Sequence, residues 1–369
     1  MLEENYYRLA LKCQEKIGNS LIKKLLQIFG SARAIFQPKA ALFAQSQGWN
    51  RSIPFPKITP EVDRIVSVEL KNMERYRIHI STFTEKEYPQ RLLHCKDAPA
   101  MFFYKGNPIF NLSKSLAIVG TRSATSYGED AVRKVLADFQ GEELLVVSGM
   151  ALGIDTIAHE TALQISLPTV AVLGSGLGVI YPSANHKLAE KILEAGGAII
   201  SEFPFATLPD RQNFPQRNRI VAGMVDAIVV AETGVKGGSI ITAELGVSYN
   251  RDVFAIPGSI FSSSQDGCNM LIRKNLAALV TSGKDIIEMM SWDMPERVSV
   301  QHSLFVELSE DEVFLVSLFS ETSELSIDEL MEAAAVRFKP SKVAALLLGL
   351  ELNGVLECKP GKIFRVIQR

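Results

Sequence analysis

The stretch Leu116-Ala117-Ile118-Val119-Gly120-Thr121-Arg122 decides the fold, because a short apolar run ends there at a glycine that opens a polar turn. Five more runs of this kind follow at intervals of about 25 to 30 residues, each before a stretch with helical spacing. The six runs are Leu116–Val119, Leu144–Val147, Thr169–Leu173, Ala198–Ile200, Ala227–Val230 and Val253–Ile256. Continuous apolarity is typical of strands buried on both faces of a parallel sheet. The sequence therefore predicts a doubly wound α/β domain.

Glycine-bearing turns follow nearly every one of these predicted strands. The glycines are Gly120, Gly149, Gly174, Gly234, Gly237, Gly238 and Gly258. In doubly wound sheets, ligands bind at the carboxyl ends of the strands, where helix N-termini present free backbone N–H groups. We therefore expect the binding site on that edge of the sheet.

Composition excludes several classes of protein. The 369 residues are 47% hydrophobic and 22% charged, which excludes wholesale disorder, and the net charge of −2 means that any polyanion must be held by a local site. Four dispersed cysteines without a CxxC pair indicate a reducing compartment and argue against zinc. The sequence has no apolar run of about 20 residues and no secretory signal pattern, so we predict a cytoplasmic protein without a membrane span.

The two ends of the chain differ in charge. Residues 1–70 contain ten Lys/Arg and six Asp/Glu, a net of +4, and their apolar spacing predicts short helices broken by Gly18 and Gly30. Lys23 and Lys24 in this segment are either contacts to a nucleic-acid backbone or solvated side chains. We predict an N-terminal helical domain over residues 1–75 and the α/β domain over 76–295.

Residues 300–369 form a third predicted domain, with seven Lys/Arg and eleven Asp/Glu, a net of −4. Capping boxes at Ser309 and Ser326 begin two predicted helices, and a third helix precedes two short strands. This order is typical of a winged helix. Because the module is acidic, we expect it to contact a protein rather than duplex DNA.

The turn after the first strand lacks the GxGxxG spacing of a dinucleotide fold, so NAD binding is not expected. Arg122 lies there among several hydroxyl residues, a set suited to phosphate oxygens. A surface ion pair is the alternative for this arginine.

Three further features carry candidate chemistry. Asp155 and His159 are four residues apart and form either an acid/base or metal pair or a structural pair. Arg211, Arg217 and Arg219 lie within nine residues, and their guanidinium groups match phosphates and can stack on bases. The loop Thr233–Glu244 is either an anion cradle or a plain strand-end turn.

Together, these motifs resemble the DNA-processing protein A (DprA/Smf) family. The matching stretches are Ile118–Arg122, Ser148–His159, Tyr181–Asn185, Ser201–Pro204, Phe214–Arg219, Gly237–Ala243, Ala255–Gly258 and Asn269–Arg273. They occur in the family's order over more than a third of the chain. Two departures are Gly237-Gly238-Ser239, where the family usually has Ser-Gly-Ser, and Asn275-Leu276, where it has Gly-Ala.

The resemblance implies a non-enzymatic single-stranded DNA-binding protein without a cofactor. It implies an extended Rossmann-like domain that dimerises, a SAM-like or helix-hairpin-helix-like N-terminal domain and a C-terminal winged helix. It also implies delivery of a RecA-type recombinase onto incoming DNA in natural transformation. The basic DNA-binding residues of the family fall here on Arg122, Lys187, Arg217 and Arg219. We also predict DNA contacts at the two glycine-bearing turns, at Gly120, Thr121, Gly237, Gly238 and Ser239.

A nucleotide phosphoribohydrolase is the competing interpretation. Such enzymes carry Gly-Gly-x-Gly-Thr-x-x-Glu, and Glu244 lies seven residues after Gly237. Ile240 and Ile241 stand where that pattern needs glycine and threonine, which argues against this alternative.

Overall fold

The computed structural model describes residues 2–50, 52–292, 308–319, 322 and 324–367. Over these residues the chain forms a group of N-terminal helices, a large sheet with helices on both faces, and a small C-terminal unit. The predicted domain boundaries at residues 295 and 300 lie outside the described residues. None of the helices in this part of the chain is long and apolar enough to cross a lipid bilayer.

The predicted α/β fold is confirmed, and all six predicted apolar runs are strands of one nine-stranded sheet. The strands are β1 (His79–Thr82), β2 (Met101–Gly106), β3 (Lys114–Val119), β4 (Leu144–Ser148), β5 (Thr169–Leu173), β6 (Ala198–Ser201), β7 (Ala227–Val230), β8 (Asp252–Ala255) and β9 (Ala278–Leu279). Their order is β1-β2-β6-β5-β4-β3-β7-β8-β9. The seven neighbouring strands β6-β5-β4-β3-β7-β8-β9 all pair in parallel. The sequence did not predict β1, β2 and β9, of which β1 and β2 pair antiparallel.

Burial on both faces explains why the strands are continuously apolar. Leu116 and Ile118 of β3 belong to the core on one face of the sheet, whereas Ala117 and Val119 belong to the core on the other. Successive side chains of a strand point to opposite faces, so a strand covered on both sides buries nearly all of its side chains and is mostly apolar.

Thirteen helices precede, connect or follow these strands within residues 2–50 and 52–292. They are α1 (Leu2–Lys12), α2 (Asn19–Phe29), α3 (Ala32–Ile35), α4 (Ala40–Ser46), α5 (Pro60–Tyr76), α6 (Gln90–Leu93), α7 (Ser126–Ala137), α8 (Ile154–Gln164), α9 (His186–Glu194), α10 (Asn213–Gly223), α11 (Gly238–Ser248), α12 (Asp266–Arg273) and α13 (Gly283–Met289). Apolar residues of α7, α8 and α13 share one core with the sheet, and those of α6, α10, α11 and α12 share the other. The N-terminal helices have a core of their own, which includes Met101 and Phe103 of β2.

The strand order fixes where a ligand should bind. From β3 the chain runs outward through β4, β5 and β6, and it then returns to place β7 on the opposite side of β3. A crevice opens at the carboxyl ends of β3 and β7, because the connections leave those two neighbours in opposite directions.

The C-terminal unit contains three helices and a small antiparallel sheet. Its elements are α14 (Glu310–Ser317), β10 (Glu324–Ser326), α15 (Ile327–Ala334), α16 (Pro340–Leu352), β11 (Leu356–Lys359) and β12 (Ile363–Val366), with strand order β10-β12-β11. Both predicted capping boxes are present, at Ser309 and at Ser326. The unit has its own apolar core, as is typical of a separate domain.

Two contacts of acidic side chains join this unit to the α/β domain. Glu329 lies 3.7 Å from His94 Nδ1, and Asp328 lies 3.8 Å from Lys96 Nζ. The acidic first turn of α15 therefore faces a basic segment that follows α6.

Candidate functional site

A cavity occupies the crevice between the carboxyl ends of β3 and β7. It contains about 820 Å³ of atom-free space, part of which is open to solvent. Seven of the nine predicted site residues line it: Gly120, Thr121, Arg122, Arg217, Gly237, Gly238 and Ser239. The structure thus brings together three segments that are far apart in the sequence.

The turn after β3 is held by close backbone packing. Thr121 donates its N–H to the Glu232 carbonyl oxygen at 2.7 Å. A Cβ on Gly120 would lie 2.4 Å from the Ile154 side chain and 2.8 Å from the same carbonyl oxygen, so no larger residue fits. This close approach fixes the position from which Arg122 extends.

Arg122 is the exposed cation of the site. Its guanidinium carbon lies 4.8 Å from the centre of the Phe214 ring, in a cation–π contact. None of the ion pairs within the described residues includes Arg122. Its hydrogen-bond donors are therefore available to an anion from solution, and its surface ion-pair alternative has no support here.

A second, smaller cavity lies on the other side of Arg122 and Phe214. Its walls include Leu152, Tyr181 and Pro209, with the Ser175 hydroxyl as a polar group. Arg122 and Phe214 line both cavities, so the pair forms a wall that the two spaces share.

Arg217 forms the floor of the larger cavity and is only 6% exposed. Its Nη1 donates to the carbonyl oxygens of Gly149 and Val172, the latter at 2.6 Å, and its Nε donates to Asn218 Oδ1 at 3.1 Å. Burial lowers the pKa of Arg217, and the nearby Asp155 carboxylate opposes that change. The Nη2 group has no hydrogen-bond partner within the described residues, which leaves it for a ligand.

The N-terminus of α11 provides backbone donors to the same cavity. Its N-cap residue, Gly237, has no side chain to accept a hydrogen bond from the first turn. The Ser239 Oγ is buried and has no partner within the described residues. Unpaired N–H groups at the positive end of a helix favour an anion.

Asp155 and His159 do not form the pair that their spacing suggested. His159 is fully buried, its Nδ1 lies 2.7 Å from Thr169 Oγ1, and burial lowers its pKa to about 3. Asp155 instead accepts a hydrogen bond from the Ala151 N–H at 3.2 Å, and burial raises its pKa. No group of metal-ligating residues occurs within the described residues.

Lys187 and Arg219 are the two predicted site residues that line neither cavity. Lys187 is exposed in the first turn of α9. Arg219 pairs with Glu202 and donates to the Asp97 carbonyl oxygen, and Glu202 also accepts from Asn19 Nδ2 of α2 at 2.8 Å. The structure therefore places Arg219 in a bridge between the N-terminal helices and the sheet.

Glu244 is exposed on α11 and does not line the cavity. A hydrolase of this kind needs its glutamate at the wall of the binding cavity, so the position of Glu244 does not support the phosphoribohydrolase alternative.

Sequence reasoning missed Glu232, a fully buried carboxylate just beyond β7. It accepts hydrogen bonds from the Thr125 N–H at 2.9 Å and from Ser264 Oγ at 2.7 Å. Sequence reasoning also missed the contact between Phe214 and Arg122. The position of Glu232 at a strand end was the available signal for the first, whereas nothing in the sequence signalled the second.

Comparison with known proteins gives a consistent result. Residues 79–291 match the family model described as DNA recombination-mediator protein A. The chain is 44% identical over 200 residues to the DNA processing protein DprA of Streptococcus pneumoniae, which covers 54% of this chain and 70% of that protein. It is 33% identical over 298 residues to the protein Smf of Escherichia coli, covering 80% of this chain and 79% of that protein.

Two solved structures are similar in fold. The crystal structure of DprA from Streptococcus pneumoniae has a TM-score of 0.64 and 35% identity, and the match covers 77% of this chain and 97% of that one. A DprA structure from Helicobacter pylori, described for its single-stranded DNA binding mode, has a TM-score of 0.53 and 29% identity. That match covers 59% of this chain and 98% of the Helicobacter chain.

Proposed function

The chain belongs to the DNA recombination-mediator protein A (DprA/Smf) family, and on that basis we propose that it binds single-stranded DNA in the cavity between β3 and β7. The observation that carries the proposal is the convergence of three donor groups on one space. These are the unpaired Arg122 guanidinium, the free nitrogen of Arg217 and the uncapped N-terminus of α11. All three suit phosphate oxygens.

The depths of these groups favour a single strand over a duplex. Arg217 lies at the cavity floor, so only a backbone that enters the cavity can bring a phosphate to it. The backbone of a single strand can bend into the cavity, whereas the backbone of a duplex is held on the outside of the double helix. The neighbouring cavity, with Tyr181, Pro209 and the Phe214 ring, provides apolar surface for an unstacked base. Stacking on such surfaces does not depend on sequence, so we expect general single-strand binding.

Two predicted residues take different proposed roles. Lys187 is exposed and follows Tyr181 and Pro182, which line the smaller cavity, by a few residues in the sequence. We assign it to a phosphate outside the cavities. For Arg219, the predicted DNA contact is replaced by a structural role, because its side chain is 12% exposed and already paired with Glu202.

The wider function follows from the family resemblance. We propose that the chain delivers a RecA-type recombinase onto incoming single strands during natural transformation, acts in the cytoplasm, and has no catalytic activity of its own. A homodimer through the α/β domain would raise the effective concentration of the cavities along one strand. We also propose an N-terminal SAM-like or helix-hairpin-helix-like domain (1–75), the DNA-binding domain (76–295) and a C-terminal winged helix (300–369) that contacts protein.

The test is a titration of single-stranded and duplex oligonucleotides at two salt concentrations, with Arg122→Ala beside the native chain. We expect preference for the single strand and a loss of about 10- to 100-fold in affinity for Arg122→Ala, since a charge-assisted hydrogen-bonding group is removed. The salt slope should also decrease by about one phosphate contact.

Arg133→Ala is the matched control, because Arg133 is an exposed arginine on α7 that pairs with Glu129 at 2.6 Å. Its affinity should match that of the native chain. Equal isotherms for Arg122→Ala and Arg133→Ala would rule out the cavity as the DNA site.

A further inference from the structure

The loop after β8, residues 257–265, presents two apolar side chains to solvent. We call it the Phe261 loop: Phe261 is 93% exposed and Ile260 is 78% exposed. The two residues are neighbours in the chain, so they form one exposed apolar patch that a ligand can bury. No described part of the chain covers these two residues.

Hydrogen bonds within the loop hold it in this conformation. The Asn269 side chain bridges the N–H and the carbonyl oxygen of Gly258, at 3.1 and 3.0 Å. Gln265 Oε1 accepts from the Ser259 N–H, and Ser259 Oγ accepts from the Phe261 N–H at 3.2 Å. The exposure of Phe261 therefore comes from a defined turn.

The same loop lies against the rim of the larger cavity. A Cβ on Gly234, which lines the cavity, would lie 3.4 Å from the Ser263 carbonyl oxygen. The buried Glu232 carboxylate accepts from Ser264 of the loop and from Thr125, three residues after Arg122. One carboxylate thus fixes the loop and the Arg122 turn relative to each other.

We propose that Phe261 is a stacking platform for a base of the single strand where it leaves the cavity, with Ile260 beside it. This inference rests on the function proposed above. An aromatic face next to a phosphate site is the arrangement by which proteins bind unpaired strands without sequence preference.

The chemistry of the loop favours a nucleotide over a protein partner. Its sequence, Pro-Gly-Ser-Ile-Phe-Ser-Ser-Ser-Gln, contains no acidic residue, and the exposed hydroxyl of Ser263 suits sugar and phosphate oxygens. Two apolar side chains among serines are a much smaller patch than the roughly 800 Å² that each side of a stable protein interface contributes.

Oligothymidylates of about 4 and about 16 nucleotides, the range of strand lengths that one binding module covers, compare a strand centred on the cavity with one that continues past the loop. We expect Phe261→Ala to reduce affinity for the longer strand about 5- to 100-fold and to leave the short one nearly unchanged. Phe43→Ala, which removes a half-exposed aromatic ring of α4, is the matched control and should bind both as the native chain does.

Phe261→Trp adds a direct readout. The longer strand should quench the added indole fluorescence, measured against the native chain with its two tryptophans, while affinity is kept. Unchanged affinity of Phe261→Ala for the longer strand, or bound DNA without quenching in Phe261→Trp, would overturn the inference. So would a Phe261→Ala variant that loses only association with the recombinase or with a second copy.

The two proposals fail in different ways. If the native chain binds neither oligonucleotide, or binds them equally well with Arg122→Ala, the proposed function fails. If Arg122→Ala loses binding and Phe261→Ala does not, the loop assignment alone fails.

Discussion

Arg122 and Arg217 face one cavity with very different exposure, and their substitutions therefore report different properties. Arg217 satisfies the carbonyl oxygens of Gly149 and Val172 in a buried setting, and a Cβ on Gly149 would lie 1.9 Å from its Nη1. The structure at this point is built around the guanidinium. Arg122 lies on the surface of the same site, where its guanidinium packs on the Phe214 ring and forms no ion pair within the described residues.

We expect Arg217→Ala to lower the free energy of unfolding by about 2–3 kcal/mol, because two buried carbonyl oxygens lose their donor. Arg122→Ala should unfold within about 0.5 kcal/mol of the native chain, as an exposed side chain does. Urea unfolding followed by circular dichroism measures both. A native-like midpoint for Arg217→Ala would contradict its structural role and leave DNA binding as its main task.

His159 gives a pH dependence of stability. Its pKa in the folded chain is about 3, below the ordinary 6.5, because burial disfavours the charged ring. The unfolded chain therefore binds this proton more readily, and stability falls as the pH drops from 6.5 toward 3. The slope from this group is about 1.4 kcal/mol per pH unit within that window.

Urea unfolding between about pH 7.5 and about pH 5 tests this with His159→Gln. The variant should lose less stability on acidification than the native chain, whatever its stability at neutral pH. His186→Gln is the control, since that histidine is 64% exposed on α9. Identical slopes for His159→Gln and the native chain would show that His159 is not responsible.

At the scale of elements, the N-terminus of α11 allows a charge test that leaves packing intact. A Cβ on Gly238 meets no atom within 4 Å, so a side chain fits there. We expect Gly238→Asp to lower single-strand affinity about tenfold or more, because a carboxylate would stand where phosphate binds. Gly238→Asn has nearly the same shape without the charge and should bind much as the native chain does.

Unfolding of both Gly238 variants should be close to native, with the aspartate slightly favoured by the helix dipole. Equal DNA affinities for the aspartate and asparagine variants would exclude the α11 terminus from the phosphate site.

The elements also show what a sequence can predict. Six strands are predictable because both of their faces are buried, which leaves uninterrupted apolar runs with glycine turns behind them. By contrast, β9 has two residues, too few for a pattern, and β2 pairs with β6 nearly a hundred residues later, outside the strand–turn–helix repeat.

The sequence predicted which turns form the site, but it did not predict which side chains of those segments face the cavity. Arg217 and Arg219 are two residues apart on α10, so at 3.6 residues per turn their side chains point about 200° apart. Helical geometry alone allows one of them in the cavity. The sequence cannot tell which of the two it is, because that depends on how α10 is rotated against the sheet.

At the scale of the whole molecule, polar and charged contacts outside the cavity join the units, in addition to the apolar packing of the N-terminal helices on Met101 and Phe103. Arg219, Glu202 and Asn19 connect the N-terminal helices to the sheet. The C-terminal unit meets Arg251, at the start of β8, through its Gly361 turn, where a Cβ would lie 2.2 Å from Arg251 Nη1. The start of β8 lies at the amino edge of the parallel sheet, whereas the cavity lies at the carboxyl edge.

This separation leads to our last prediction. A chain that ends at Trp292 should bind single-stranded DNA within about twofold of the full chain, since the C-terminal unit has a separate core and none of its described residues lines the cavity. Association with the recombinase, measured by co-sedimentation on the same oligonucleotide, should fall if the acidic unit contacts protein. Loss of DNA binding in a shortened chain that still unfolds cooperatively would instead place DNA contacts in the C-terminal unit. Comparing the shortened chain with and without Arg122→Ala then shows whether the remaining binding occurs in the cavity, because only cavity binding requires that guanidinium.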